Sequence, residues 1–247
     1  LGSNYARVAL GLVRPKVGLL TIGTEAILAV ALIYRLQVWS MILGLLGMNP
    51  SGRKLLINLF SAFLPAAFLG LLLDDLIESY LFGLLPVAIA LFVGGLFMAW
   101  AEKRKKSMEG GRANSTEKSL EDLTLSSSLL IGFLQCVAMW PGTSRSMMTI
   151  VGGYLVGLSR VHAAEFSFLL GLITLTAAAG YKCLTKWDAM NQYLTLGPVV
   201  FGCLVAGVFA ALSVFWLVGY LTRKGLGIFV IYRIILSIIV FSIFLTR

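Results

Sequence analysis

The densest set of anion-binding groups in the chain is one short run, Pro141-Gly142-Thr143-Ser144-Arg145-Ser146. It lies between two apolar stretches, 125–140 and 147–158, so Arg145 sits where a charge is costly. An arginine in such a place marks a functional site by default. Its planar fork binds two oxygens of a phosphate or carboxylate at once. Thr143, Ser144 and Ser146 supply hydroxyls around it, and Pro141 with Gly142 ends the preceding helix. The helix that begins just after Arg145 directs unpaired N–H groups and a positive dipole end into the same space. Thr149, three residues past Ser146, can face that cleft one turn on. These groups form a donor-rich pocket suited to a phosphoryl group. The competing reading is a structural cap with an arginine snorkelling to water, and the hydroxyl density argues against it.

The elements that hold this loop follow from composition. Of 247 residues 59% are apolar and only 13% are charged, with a mean hydropathy of +0.93. A soluble domain of this size carries about a quarter charged residues, and its surface could not hide so much hydrocarbon. Disorder and a disulfide-stapled module are excluded on the same grounds. Cys136, Cys183 and Cys203 form no CxxC pair, which argues against zinc. Twenty Lys and Arg stand against eleven Asp and Glu, a net charge of +9. In a soluble protein that excess would point to nucleic acid; here it reads as the positive-inside bias, with no nucleic acid partner. The expected fold is all-α and polytopic, with the lipid bilayer as its surroundings.

A span needs about 20 apolar residues. Segments 55–73, 80–100, 196–221 and 226–245 meet this, and 17–34 and 166–181 are weaker candidates, giving about six spans. Residues 1–100 form an N-terminal half. Residues 101–124 are hydrophilic and read as a flexible cytoplasmic linker, and 125–247 form a C-terminal half. Arg53, Lys54, Lys103 to Lys106, Arg223 and Lys224 then all fall on the cytoplasmic side. That topology closes only if 125–158 is a re-entrant hairpin, since neither arm is long enough to cross. Irregular backbone at membrane depth survives where protein shields it or a wet cavity receives it. Gly153 and Gly157 would let its second arm pack closely. The apex, with Ser144 and Arg145, then faces the periplasm or cell exterior. Small-residue faces serve packing within and between chains equally, so the oligomeric state is not readable.

Residues 141–149, read as PGTSRSMMT, fit the PGxSRSxxT signature of the undecaprenyl pyrophosphate phosphatases, also called the bacitracin-resistance family. The flanks IGFLQCVAMW and GGYLVGLSRVHAAEFSFLL, the stretch FLPAAFLGLLLDDLIESYLF and the late IYRIILSII also resemble that family, over most of the chain from Leu20. The resemblance implies a six-span inverted repeat with re-entrant helices, in the bacterial inner (plasma) membrane. It further implies hydrolysis of a C55 polyprenyl diphosphate to the monophosphate and inorganic phosphate, which recycles the carrier for peptidoglycan synthesis. Ser144, Arg145 and Thr149 fall on its active-site positions, Arg145 holding the diphosphate and Ser144 a candidate nucleophile or donor. Gly142, Thr143, Ser146, Gln135 and Glu165 would contribute to substrate binding. The resemblance also implies a divalent cation, Mg²⁺ or Ca²⁺, whose ligands this chain lacks.

One family feature is missing: an acidic (E/Q)xxxE run followed by SS and a His, expected on a first re-entrant segment. Glu25 is the only acidic residue among the first 50, and the sole histidine, His162, reads as an interfacial polar residue. Residue 1 is Leu. The expectation is that the acidic segment precedes it, that the chain as it stands is nearly inactive, and that adding the segment restores phosphate release. A paralogue that has lost hydrolysis is the second account. A polyprenyl-phosphate transporter or flippase would need the same arginine, and a non-catalytic scaffold would have no diphosphate affinity.

Overall fold

A computed structural model of the chain describes residues 27–111, 117–185 and 196–246. Glu25 and most of segment 17–34 lie outside the described residues. The described chain is helical: α1 (Ile27–Ile33), α2 (Arg35–Leu45), α3 (Pro50–Leu81), α4 (Leu84–Gly111), α5 (Leu125–Val137), α6 (Arg145–Leu155), α7 (Arg160–Thr185), α8 (Leu196–Lys224) and α9 (Gly227–Leu245). Five helices are long and apolar enough to cross a membrane, or six if α1 and α2 make one broken span. Exposed Leu, Phe and Ile side chains cover α3, α8 and α9, as lipid-facing helices require. The protein is a multi-pass helical membrane protein.

The chain divides into two compact units. One comprises residues 36–171 and 216–247; the other comprises 1–35 and 172–215, including the distal part of α7 and the proximal part of α8. All that follows concerns the first unit. Its largest helix pairs are α4 with α9 and α3 with α5, and α6 packs on α5 and α4. Backbones meet closely where side chains are absent. A Cβ on Gly132 of α5 would collide with the Ala62 carbonyl oxygen of α3, and one on Gly153 of α6 would lie 2.6 Å from the Ala163 Cβ of α7. Small residues take the place of a hydrophobic driving force that lipid cannot supply.

The short α5 and α6 form a hairpin whose two ends are tied together. The Lys118 N–H donates to the Gly157 carbonyl at 3.2 Å, and the Ser159 N–H to the Lys118 carbonyl at 3.3 Å. The chain therefore leaves the hairpin beside the place where it entered. A 3₁₀ turn, Leu120–Asp122, precedes α5. Asp122 accepts from the Ser119 N–H and hydroxyl, and these bonds, aided by Lys54 and Lys118, hold its carboxyl below the usual range.

Segment 101–124 differs from the expected flexible linker over its first part, because α4 continues to Gly111. Glu102 and Lys105 there are buried and find partners instead of water. Arg160 reaches Glu109 with two bonds, from Nε at 3.0 Å and Nη2 at 3.1 Å, and Glu102 with Nη1 at 3.0 Å. Glu102 also accepts from the Leu226 N–H at 3.1 Å, while Lys105 donates to Glu117 at 2.8 Å and to the Leu158 carbonyl at 3.0 Å. Buried charges persist only when paired and hydrogen-bonded in this way.

Candidate active site

The signature run forms the apex of the hairpin. Gly142 has φ +100, and a Cβ there would lie 2.9 Å from the Val87 carbonyl oxygen, so only glycine fits without displacing α4. Thr143 is 3% exposed, and its hydroxyl donates to the Trp140 and Val137 carbonyls at 2.7 and 3.2 Å. It closes the C-terminal end of α5 and turns away from the opening. Ser144 is the N-cap residue of α6, yet its hydroxyl caps nothing and is exposed. Among non-glycine residues described it alone has positive φ, at 66°, with ψ 113°. Such geometry costs on the order of 1–3 kcal/mol and recurs at reactive turns that present a side chain outward.

Arg145 opens α6 and is half-buried, and its guanidinium makes no hydrogen bond or ion pair among the described residues. A Cβ on Gly171 would lie 3.2 Å from its Nη2, so α7 passes beside the fork with a bare backbone. Ser146 contributes its carbonyl to the frame. Thr149, 1% exposed, meets the Ser167 hydroxyl at 2.6 Å and donates to the Arg145 or Ser146 carbonyl at 3.1 Å. It latches α6 to α7 directly behind the apex. Gln135 is 3% exposed, and its amide oxygen has no partner among the described residues.

Glu165 is directed elsewhere. It lies two positions before Ser167, which places the two on opposite sides of α7. Ser167 faces α6, and Glu165 accepts from Gln37 of α2. Its carboxylate lines a cavity of about 420 Å³ with Ser40, Ser119, Glu121 and His162. His162 hydrogen-bonds Ser159 through Nδ1 at 2.9 Å, at the start of α7.

A second arginine, not among the sequence candidates, meets the rule applied to Arg145 equally. Arg233 lies inside the apolar α9 and is 5% exposed. Its Nη2 donates to the Gly142 carbonyl at 2.5 Å and the Ala90 carbonyl at 3.4 Å, and its Nε is buried without a partner. It supports the signature loop from beneath. Arg233→Met is expected to leave the Gly142 carbonyl unsatisfied, lower thermal stability by about 1–3 kcal/mol and weaken lipid-diphosphate binding with it. Arg233→Lys should recover part of both, and unchanged melting and binding in Arg233→Met would refute the support role.

The groups at the apex are cationic and hydroxylic, and among the described residues no carboxylate pairs with Arg145. Nor, among the described residues, does any group of three His, Cys, Asp or Glu sit so that it could hold a metal ion. That donor set suits an anion and does not fit a divalent cation.

Taken together, the spans define an integral membrane protein, and the unpaired arginine at the head of a tied hairpin gives it a loop whose chemistry suits an anion. The family model for the bacitracin resistance protein BacA matches residues 13–239, and the chain belongs to that family. It is 40% identical over 217 residues to the undecaprenyl-diphosphatase of Pseudomonas putida strain F1, covering 88% of this chain and 75% of that protein. It is 38% identical over 217 residues to the enzyme of the same name from Ectopseudomonas mendocina, with the same coverage. Undecaprenyl-diphosphatase 1 of Chromobacterium violaceum is 39% identical over 216 residues, covering 87% of this chain and 76% of its own length.

Proposed function

We propose that the protein is an integral membrane phosphatase that hydrolyses undecaprenyl diphosphate to the monophosphate and inorganic phosphate, thereby returning the lipid carrier to peptidoglycan synthesis. The observation that carries this reading is the half-buried Arg145 guanidinium, unpartnered beside the N-terminus of α6. A terminal phosphoryl group satisfies its fork and takes the free N–H groups of the first turn. The exposed Ser144 hydroxyl stands next in sequence to that fork and contacts the bound phosphoryl oxygens as donor, or attacks phosphorus as nucleophile. In hydrolysis the oxygen of water ends on phosphorus, the bridging P–O bond breaks, and the polyprenyl monophosphate leaves with the bond's electrons. A serine would need a base for its proton. Gln135 and Ser146 are assigned to substrate contact, Gly142 and Thr143 to shaping the loop, and Thr149 to bracing it. The divalent cation implied by family resemblance takes no part in the steps assigned to these residues.

Phosphate release from undecaprenyl diphosphate by the purified full-length protein tests the reading. Release above the no-enzyme rate is expected, and a protein that binds the lipid but releases nothing would favour a flippase.

The protein resides, in this reading, in the bacterial inner membrane with the hairpin apex toward the periplasm or cell exterior. The tie between Lys118 and residues 157–159 supports it, because a linker on the cytoplasmic side then returns the hairpin there. With Cys136, Cys183 and Cys203 replaced by Ser, Ser144→Cys should react with a membrane-impermeant maleimide added outside intact cells. Labelling only after the cytoplasm is exposed would reverse the orientation.

A further inference from the structure

At the opposite end of α5 from the signature loop, a second cavity of about 500 Å³ opens where α3 and α5 both begin. Its lining includes Arg53, Lys54, Ile57, Asn58, Thr124 and Leu125. A 13-residue helix separates it from the apex, about 20 Å, so it is not the site described above.

Three features of its chemistry converge. First, it holds positive charge without matching acid. Arg53 forms no ion pair among the described residues, and Lys54 donates to the Glu121 carbonyl, which carries no charge, with Asp122 the carboxylate it influences. Second, both helices present their N-terminal ends. Asn49 caps α3 by accepting from the Gly52 N–H at 3.1 Å, and Thr124 caps α5 by accepting from the Ser127 N–H at 3.3 Å. The first-turn N–H groups left over add to the field of the two side chains. Third, the lining includes exposed apolar side chains: Ile57 is 47% exposed and Leu125 50% exposed. Since the candidate span begins at Pro50, the cations fall in its first turns, at headgroup level, and Ile57 lies about one turn further in.

We infer that this cavity is a binding site for the phosphate headgroup of an anionic phospholipid, with Arg53 and Lys54 on the phosphate and an acyl chain over Ile57 and Leu125. Juxtamembrane cations attract anionic lipid, and here two of them are fixed beside a lipid-facing trough. A free phosphate ion would use the charges and leave the trough empty, which is why the lipid is the occupant assigned.

The test uses purified full-length protein in neutral detergent, read by thermal unfolding and by native mass spectrometry of retained lipid. Phosphatidylglycerol should raise Tm and remain bound, whereas phosphatidylcholine and millimolar inorganic phosphate should do neither. Arg53→Gln should weaken phosphatidylglycerol retention about fivefold and Arg53→Gln with Lys54→Gln about 25-fold, the effect of about one juxtamembrane cation each. Arg53→Gln keeps the Lys54 bond to Glu121 and so guards against a variant that fails to fold. Lys103→Gln with Arg104→Gln, exposed cations elsewhere, should leave retention unchanged. Equal loss in that control, or undiminished retention in the Arg53 and Lys54 variants, overturns the site. A Tm rise with inorganic phosphate as large as with the lipid overturns the lipid assignment in favour of a free anion.

Discussion

Arg145→Ala is expected to reduce binding of a polyprenyl diphosphate by about 10²–10³-fold and to leave the unliganded protein as stable as before, or more so. The two effects diverge because the guanidinium has no partner among the described residues. A structural arginine would leave carbonyls or carboxylates unsatisfied when removed. Arg145 instead loses solvation in the empty protein and recovers it only when an anion arrives, so its removal relieves a cost. Loss of a bidentate charge-assisted contact accounts for the affinity change. Arg145→Lys keeps the charge and loses the fork, and should fall between. The measurements are thermal unfolding without ligand and titration with a short-chain polyprenyl diphosphate. A variant that unfolds several degrees earlier and binds normally would return Arg145 to the role of a cap.

Ser144 separates hydrolysis from carriage, and its backbone adds a second readout. Ser144→Ala and Ser144→Gly both remove the hydroxyl, and each should slow phosphate release at least 10²-fold if it attacks or donates in the transition state, with lipid-diphosphate binding little changed. They should differ in stability. Alanine keeps a Cβ at φ 66°, whereas glycine occupies that region freely. Ser144→Gly is therefore expected to be more stable than Ser144→Ala by about 1 kcal/mol, roughly 2–4 °C in Tm for a chain of this size. Equal melting would show that the turn carries no strain. Undiminished release in both variants would remove Ser144 from the chemistry and favour a different nucleophile.

How far the sequence could be read depended on how local the determining physics is. Spans 55–73 and 226–245 are set by their own hydrocarbon; α3 contains the first, and α9 covers the second from Gly227 on. The hairpin followed from two helices too short to cross with a polar turn between them. Its residues' individual tasks did not. The sequence alone offers Thr143 and Thr149 as hydroxyls for a ligand, because a threonine's partner depends on which carbonyl or helix lies beside it. In the folded chain those are Trp140 and Ser167. Glu165 was grouped with the loop by resemblance, but the helical period turns it toward Gln37. The left-handed backbone at Ser144 has no signature in residue type. Arg233 did have one, a lone arginine in an apolar span, and the local rule would have found it. Residues 101–111 are hydrophilic enough to suggest a loop, and the local pairs Glu102–Lys106 and Lys105–Glu109 alone do not bury their charges. Their partners lie as far off as Arg160 and Leu226.

That last separation bears on the order in which the protein can be built. Glu102 and Lys105 emerge from the ribosome before any group that will bury them: Leu158 is 53 residues later, Arg160 58 and Leu226 124. Until those arrive the end of α4 must stay hydrated, so α4 cannot settle into its final depth by itself. The hairpin's return and the α8–α9 turn then close over the same charges within one cluster. Maturation of the first half is thus gated by synthesis of the second, and a nascent chain stopped before residue 226 should remain open to proteolysis at α4 even though every apolar residue of that helix has already been inserted.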